Sequence, residues 1–194
     1  MTFSKKTQNV DNLIINNTTI ERVTTYKYLG TWLTEDVDQT KEIRSRIEMA
    51  RNTFIKLKKL LCNRNLNLEI RTRMLRCYVI STLQYGMEAW TIKQSEIKKL
   101  NSFEMWCYRR IHGISWTEKV TNIEVLQRTK KECEVIKTVK IRKIQYLGHI
   151  MRGEKYVLLR LSMQGKIQGK RNPGRRKISW LRNLREWFSN FSND

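Results

Sequence analysis

The sequence predicts a mainly α protein with a small N-terminal β hairpin or strand remnant. Three observations carry this. One Pro and eight Gly among 194 residues are too few for a turn-rich all-β chain. Apolar residues recur at alternating steps of three and four, the period of an amphipathic helix. Two Thr-x-x-Glu boxes mark helix starts. Hydrophobic residues make up 40%, with six Trp, seven Tyr and five Phe, more apolar and aromatic content than disordered chains carry. A chain of this length can bury a core, in one domain or two small ones.

The first elements are extended. Leu13, Ile14 and Ile15, then Asn16 and Asn17, then Thr18, Thr19 and Ile20 read as a tight hairpin, with Asn supplying the positive φ of the turn. Residues 26–33 (YKYLGTWL) read as one further strand interrupted by a Gly. Three short strands do not form an independent sheet, so this segment reads as the edge of something larger.

Helices follow. Ile43, Ile47, Ala50, Phe54, Leu57 and Leu61 define an amphipathic helix of about 20 residues, starting near Asp38 or Thr40. Arg44, Arg51, Lys58 and Lys59 lie off its apolar stripe. A second run over about 68–85 places Ile70, Met74, Cys77 or Tyr78, and Ser81 on one face, with Arg71, Arg73 and Arg76 as its basic residues. A third starts after Ser95, carries Ile97, Leu100, Phe103 and Cys107, and stops at His112-Gly113, where Gly takes the left-handed cap. The boxes Thr121–Glu124 and Thr129–Glu132 each pair a hydroxyl cap with a Glu three residues on. The first opens a short helix with Val125 and Leu126. The second opens a longer one with Cys133, Ile136, Val139 or Lys140, Ile144, Leu147 and Met151. The chain closes on a short aromatic-faced helix with Trp180, Leu184, Trp187, Phe188 and Phe191.

Charge narrows the function classes. Lys and Arg number 39 against 18 Asp and Glu, a net +21. Between residues 137 and 185 fifteen Lys or Arg face a single acid, Glu154, which places +14 in one quarter of the chain. At its centre, residues 165–177 hold three Gly, one Pro and six cations: Lys166, Lys170, Arg171, Arg175, Arg176 and Lys177. Gly lets a backbone approach phosphate closely and Arg offers bidentate bonds to its oxygens. Nucleic-acid contact is the expectation for this loop, against a solvated charged face or a nuclear localisation patch. Trp180 and Trp187 either stack on unpaired bases or pack on the core side of their helix; the core side is favoured. No apolar run approaches the ~18 residues of a membrane span, and the opening residues lack a secretory core segment. Cys62, Cys77, Cys107 and Cys133 form no Cys-x-x-Cys pair. Buried roles in a reduced, intracellular compartment (nucleus or cytoplasm) are expected for the last three. A cross-helix zinc site with His112 and His149 is not expected, because the spacing is not that of a finger.

Groups for catalysis are sparse. Asp occurs four times, at 11, 36, 38 and 194. Glu35, Asp36 and Asp38 are either a Mg²⁺-type carboxylate cluster or acids at the positive end of the next helix, and the helix start is the expected reading. There is no P-loop, G-x-S-x-G or H-E-x-x-H.

Several ordered stretches carry a resemblance. Residues 26–30 (YKYLG), 42–47 (EIRSRI), 79–90 (VISTLQYGMEAW), 106–111 (WCYRRI), 142–152 (RKIQYLGHIMR) and the basic loop running to Trp180 resemble, in order, the carboxy-terminal third of non-LTR (LINE-type) retrotransposon reverse transcriptases. The resemblance covers almost the whole chain. It implies a palm-end β remnant over 1–34, with Tyr28, Leu29 and Gly30 in the primer grip. It implies thumb-like helices over 35–113, with Arg44, Arg51, Lys58, Arg71, Arg73 and Arg76 as phosphate contacts. It implies a basic C-terminal nucleic-acid-binding segment over 114–194. Arg109 and Arg110 are either duplex contacts or helix-surface charges.

One departure is plain. The family's polymerase centre is a [FY]-x-D-D turn with a further upstream Asp, holding two Mg²⁺, and no Asp-Asp pair occurs here. The expectation is a fragment that holds RNA or DNA template–primer, alone or with the rest of a reverse transcriptase. It needs no cofactor of its own, since Mg²⁺ belongs to the missing palm, and is inactive alone. Met1 then reads as an internal methionine of a longer ancestral frame. The alternatives are a co-opted, non-catalytic nucleic-acid-binding protein, or a helical interaction protein with a solvated basic surface.

Overall fold

A computed structural model describes residues 13–15, 18–21, 23–35, 38–164 and 179–189. The fold is mainly α with small antiparallel hairpins near its N-terminus. Two compact units divide the chain, Met1–Ser45 and Arg46–Asp194.

In the first unit β1 (Leu13–Ile15) pairs with β2 (Thr18–Ile20) in the register Leu13↔Ile20 and Ile15↔Thr18, the hairpin expected around Asn16-Asn17. The single strand expected over 26–33 is instead a second hairpin. β3 (Thr25–Tyr28) pairs with β4 (Thr31–Thr34), with Tyr28↔Thr31 closing a two-residue loop. Leu29 at φ +47° and Gly30 at φ +80° occupy that loop. Positive φ at both central positions matches the right-handed twist of the strands, which turns of ordinary hand would splay. The Gly read as an interruption is the turn.

Helix α1 (Thr40–Lys56) begins in this unit and runs into the next. Asp38 Oδ1 accepts from the Thr40 amide at 3.3 Å and its hydroxyl at 3.0 Å, so this acid serves the helix start. Glu42 is buried and takes the Trp32 amide at 2.8 Å. Ile43, Ile47, Ala50 and Phe54 are buried, as the stripe required. The helix breaks at Leu57, and α2 (Lys58–Leu61) carries the last stripe residue, Leu61, into the core.

In the second unit the run expected over 68–85 is helical but not uniformly α. α3 (Leu68–Met74) passes into a π-helical segment, Leu75–Ile80, and then α4 (Ser81–Leu83). Its buried face is also not the expected one. Leu75, Val79 and Leu83 are buried, continuing from Arg71 by fours, whereas Ile70, Cys77, Tyr78 and Ser81 are exposed. Steps of four drift by about 40° each on an α-helix. The wider i→i+5 turn takes up that drift and keeps one face on the core.

α5 (Gln94–His112) buries Leu100, Phe103, Cys107 and Ile111. It ends as expected at Gly113, φ +69°, whose amide and that of Ile114 reach back to Arg110 O and Arg109 O. The box Thr121–Glu124 opens α6 (Asn122–Thr129), with both reciprocal bonds formed. The box expected at Thr129–Glu132 does not form. Thr129 ends α6, donates to Val125 O at 2.7 Å and meets His112 Nε2 at 3.0 Å, so its hydroxyl is already committed. α7 (Glu134–Arg152) starts instead behind Cys133. A carboxylate from α5 caps it: Glu104 accepts the amides of Glu134 at 2.8 Å and Val135 at 3.2 Å.

The buried face of α7 is Val135, Val139, Lys143 and Ile150; Ile144 and Met151 are exposed. A lysine at a core position hid this face from a reading based on apolar spacing. α8 (Val157–Gln164) and α9 (Trp180–Phe188) both pack on α7. Ser179 caps α9 through the Arg182 amide at 3.2 Å. Among the cysteines Cys107 is buried, Cys133 half-buried and Cys77 exposed, so the buried role expected for Cys77 does not hold. Among the described residues no helix is long and apolar enough to cross a membrane.

Candidate nucleic-acid interface

The basic residues separate by what their side chains already do. Arg71 is buried: Nε donates to Leu66 O at 3.1 Å and Nη1 to Ile111 O at 2.9 Å, the latter among the orphan carbonyls ending α5. It is a structural clamp, withdrawn from any phosphate surface. Arg76 is exposed but bridges to Glu134 at 2.7 Å. Arg51 pairs with Glu48 at 3.0 Å. Arg44, Lys58 and Arg73 are exposed on α1, α2 and α3. In the first unit, Tyr28, Leu29 and Gly30 form the tip of the second hairpin, all exposed. Lys166, Lys170, Arg171, Arg175, Arg176 and Lys177 lie outside the described residues.

An aromatic–cation cluster that sequence reading missed lies between α1 and α5. Trp106 packs against Phe54 (centroids 5.0 Å apart) and Phe103 (5.7 Å). The Arg110 guanidinium lies 4.3 Å from its ring centroid and that of Arg51 5.5 Å. Arg110 is exposed and stacked, whereas Arg109 is engaged with Val120 O at 3.0 Å and Asn122 Oδ1 at 2.8 Å. The neighbouring pair thus divides: Arg109 braces a loop and Arg110 faces solvent on an indole.

The two terminal indoles face inward. Trp180 donates from Nε1 to Glu88 O at 2.7 Å and meets the Tyr146 ring edge-on. The fully buried Lys143 ammonium lies 4.9 Å from the centroids of both Trp180 and Trp187. It donates to Asn183 Oδ1 at 3.1 Å. Asn183 also accepts the Ile92 amide at 2.9 Å and donates to Ile92 O at 2.8 Å. Burial pulls the Lys143 pKa down to about 8, since a low-dielectric site penalises the charged form. These groups dock α9; neither indole is a free stacking surface.

A cleft of about 240 Å³ opens beside the π-helical segment, among α3, α5 and α7. Arg76, Lys131 and Arg142 line it together with Glu104, Glu134 and Tyr108. Burial raises the Glu104 carboxyl above its usual range, against the lowering effect of the two α7 amides. Burial likewise raises the Tyr108 hydroxyl, with the Glu104 charge adding to it, and raises the Cys107 thiol. His112 is lowered by burial and by Arg71 and Arg128. Burial is the first cause of each of these shifts, and Glu104 is occupied as a helix cap.

The chain is similar in sequence to a mobile-element RNA-directed DNA polymerase. The RNA-directed DNA polymerase from mobile element jockey of Drosophila funebris is 25% identical over 141 residues, 72% of this chain and 15% of that protein. No protein-family model matches the chain, and no solved structure matches it. No Asp-Asp pair occurs, Asp38 is held by Thr40, and no group of three His, Cys, Asp or Glu converges among the described residues.

Proposed function

We propose that this chain is a nucleic-acid-holding part of a LINE-type reverse transcriptase, and that it grips template–primer without doing the polymerase chemistry. Its parts are the palm-end hairpins over 1–34, thumb-like helices over 35–113 and the basic segment over 114–194. The observation that carries the reading is the coincidence of a +21 charge with similarity to an RNA-directed DNA polymerase over 72% of the chain. Exposed cations attract a polyanion through counterion release, whatever the base sequence. Arg44, Lys58, Arg73 and Arg110 supply such contacts on the helices. Lys166, Lys170, Arg171, Arg175, Arg176 and Lys177 supply the densest set. Arg51 and Arg76 contribute after exchanging a carboxylate for a phosphate. The hairpin tip at Tyr28, Leu29 and Gly30 sits on the primer-terminus side.

The test is binding of a fluorescein-labelled RNA–DNA template–primer duplex by the full chain. A second protein carries Ser at the six positions between 166 and 177. Loss of six cations weakens binding by about tenfold or more at ~0.1 M salt. Equal affinity of the two proteins overturns the assignment of that loop.

A further inference from the structure

Trp116 is 91% exposed, the most exposed large hydrophobic side chain among the described residues. Burying an indole removes 150–250 Å² of surface from water, so leaving it in solvent forgoes a large stabilisation. The turn that carries it is nevertheless firmly fixed. Residues Trp116–Glu118 form a 3₁₀ turn closed by a reciprocal box: the Ser115 amide donates to Glu118 Oε1 at 2.8 Å, and Ser115 Oγ accepts from Thr117 N at 3.4 Å. Gly113 precedes it in a left-handed cap, and Lys119 follows at φ +49°. Arg109 clasps the next stretch at Val120 O and Asn122 Oδ1, and the Thr121–Glu124 box follows directly.

Cations flank the turn along the chain. The Arg64 guanidinium covers Gly113 so closely that a Cβ there would lie 2.8 Å from Nη2. Arg110 is exposed on the last turn of α5, and Lys119 is exposed beside the turn. The two acids of the segment, Glu118 and Glu124, each hold a backbone amide in a capping box. A bare indole on a bonded turn, with Arg64 against Gly113 on one side along the chain and the exposed Lys119 on the other, offers the two components that single-strand binders combine: a stacking platform and cations for phosphates.

We propose that Trp116 is a base-stacking site for single-stranded nucleic acid, with Arg64 and Lys119 drawing the adjoining phosphates. The inference rests on the nucleic-acid reading above and names the residue that would take an unpaired base. Stacking tolerates any base, because every base has a π-face, so the site carries no sequence preference.

The experiment compares the full chain with Trp116→Ala and Trp116→Phe, using fluorescein-labelled oligouridine and the same strand made abasic. Because the indole is solvent-exposed, both variants should melt with the wild type. Trp116→Ala weakens binding to oligouridine about tenfold or more, Trp116→Phe restores most of it, and the salt dependence stays the same. On the abasic strand wild type and Trp116→Ala bind alike. Equal binding of oligouridine by wild type and Trp116→Ala overturns the site while leaving the parent reading intact. So does an equal loss on both strands, which would mark a phosphate or folding effect. Loss of self-association on Trp116→Ala with unchanged RNA affinity also overturns it and assigns the indole to a second copy. If the wild type binds neither strand, the nucleic-acid reading itself fails.

Discussion

An ammonium with no carboxylate partner among the described residues sits at a fully buried position of α7. Lys143 meets an amide oxygen and two indole faces there. These offset part of its lost hydration, yet its pKa still falls from 10.5 to about 8. In the unfolded chain the group keeps its ordinary pKa, so between pH 8 and 10.5 the unfolded state binds more protons and stability rises with pH. Below pH 8 the full desolvation cost is present. A Lys143→Met variant lacks that cost, so wild type gains on the variant as pH rises from 8 to 10. The gain is on the order of 2 kcal/mol and is readable as the difference between two denaturant midpoints. A pH-independent difference would mean the ammonium is not desolvated. Arg71 makes the opposite case, a cation whose removal should hurt. Arg71→Met leaves the carbonyls of Leu66 and Ile111 without their donor. It should cost about 1–3 kcal/mol in urea unfolding and leave the salt slope of nucleic-acid binding unchanged. Neither role could be seen in the sequence. Arg71 and Lys143 look like surface charges among many, and only the packing of α5 and α9 against them turns them inward.

Among the elements, the helices whose apolar stripe was intact in the sequence fold as that stripe dictates. α1 buries Ile43, Ile47, Ala50 and Phe54, and α5 buries Leu100, Phe103 and Cys107. Reading failed where a local motif had a tertiary competitor or the helical period changed. Thr121 and Thr129 head identical Thr-x-x-Glu boxes, but only Thr121 caps, because His112 and Val125 O engage Thr129 first. Glu104, 30 residues away, then replaces the second box at the start of α7. Glu132→Ala should therefore leave stability within about 0.5 kcal/mol, whereas Glu124→Ala should cost about 1 kcal/mol through its cap. Thermal melts of the two variants separate these outcomes, and equal losses would contradict them. The second hairpin makes the same point. Residues 26–33 alternate well enough for one strand, and only the positive φ at Leu29 and Gly30 reveals that the chain reverses there. Gly30→Val should destabilise this hairpin by more than 1 kcal/mol, since a β-branched residue resists positive φ. Amide hydrogen exchange over residues 25–34 reads the loss, and unchanged protection there would contradict the turn.

For the whole molecule, charge and sequence similarity point the same way. The +21 excess was legible from composition, and so was its concentration after residue 137. Which cations remain for a ligand was not legible, because Arg71, Arg109 and Lys143 look no different in sequence from Arg44, Arg73 and Arg110. The structure turns the first three to internal tasks and leaves the others exposed. The terminal indoles take the core side favoured from the sequence, while the exposed indole of Trp116 was singled out by no spacing rule. The central claim is that the remaining cations hold nucleic-acid phosphates. Its most direct test is the affinity of the full chain for an RNA–DNA duplex, titrated from 50 to 200 mM salt. Phosphate contacts give a log K that falls linearly with log salt, at about 0.7–0.9 per neutralised phosphate, with a slope corresponding to several phosphates. An affinity that does not change with salt contradicts the claim and leaves the basic surface as solvated charge alone.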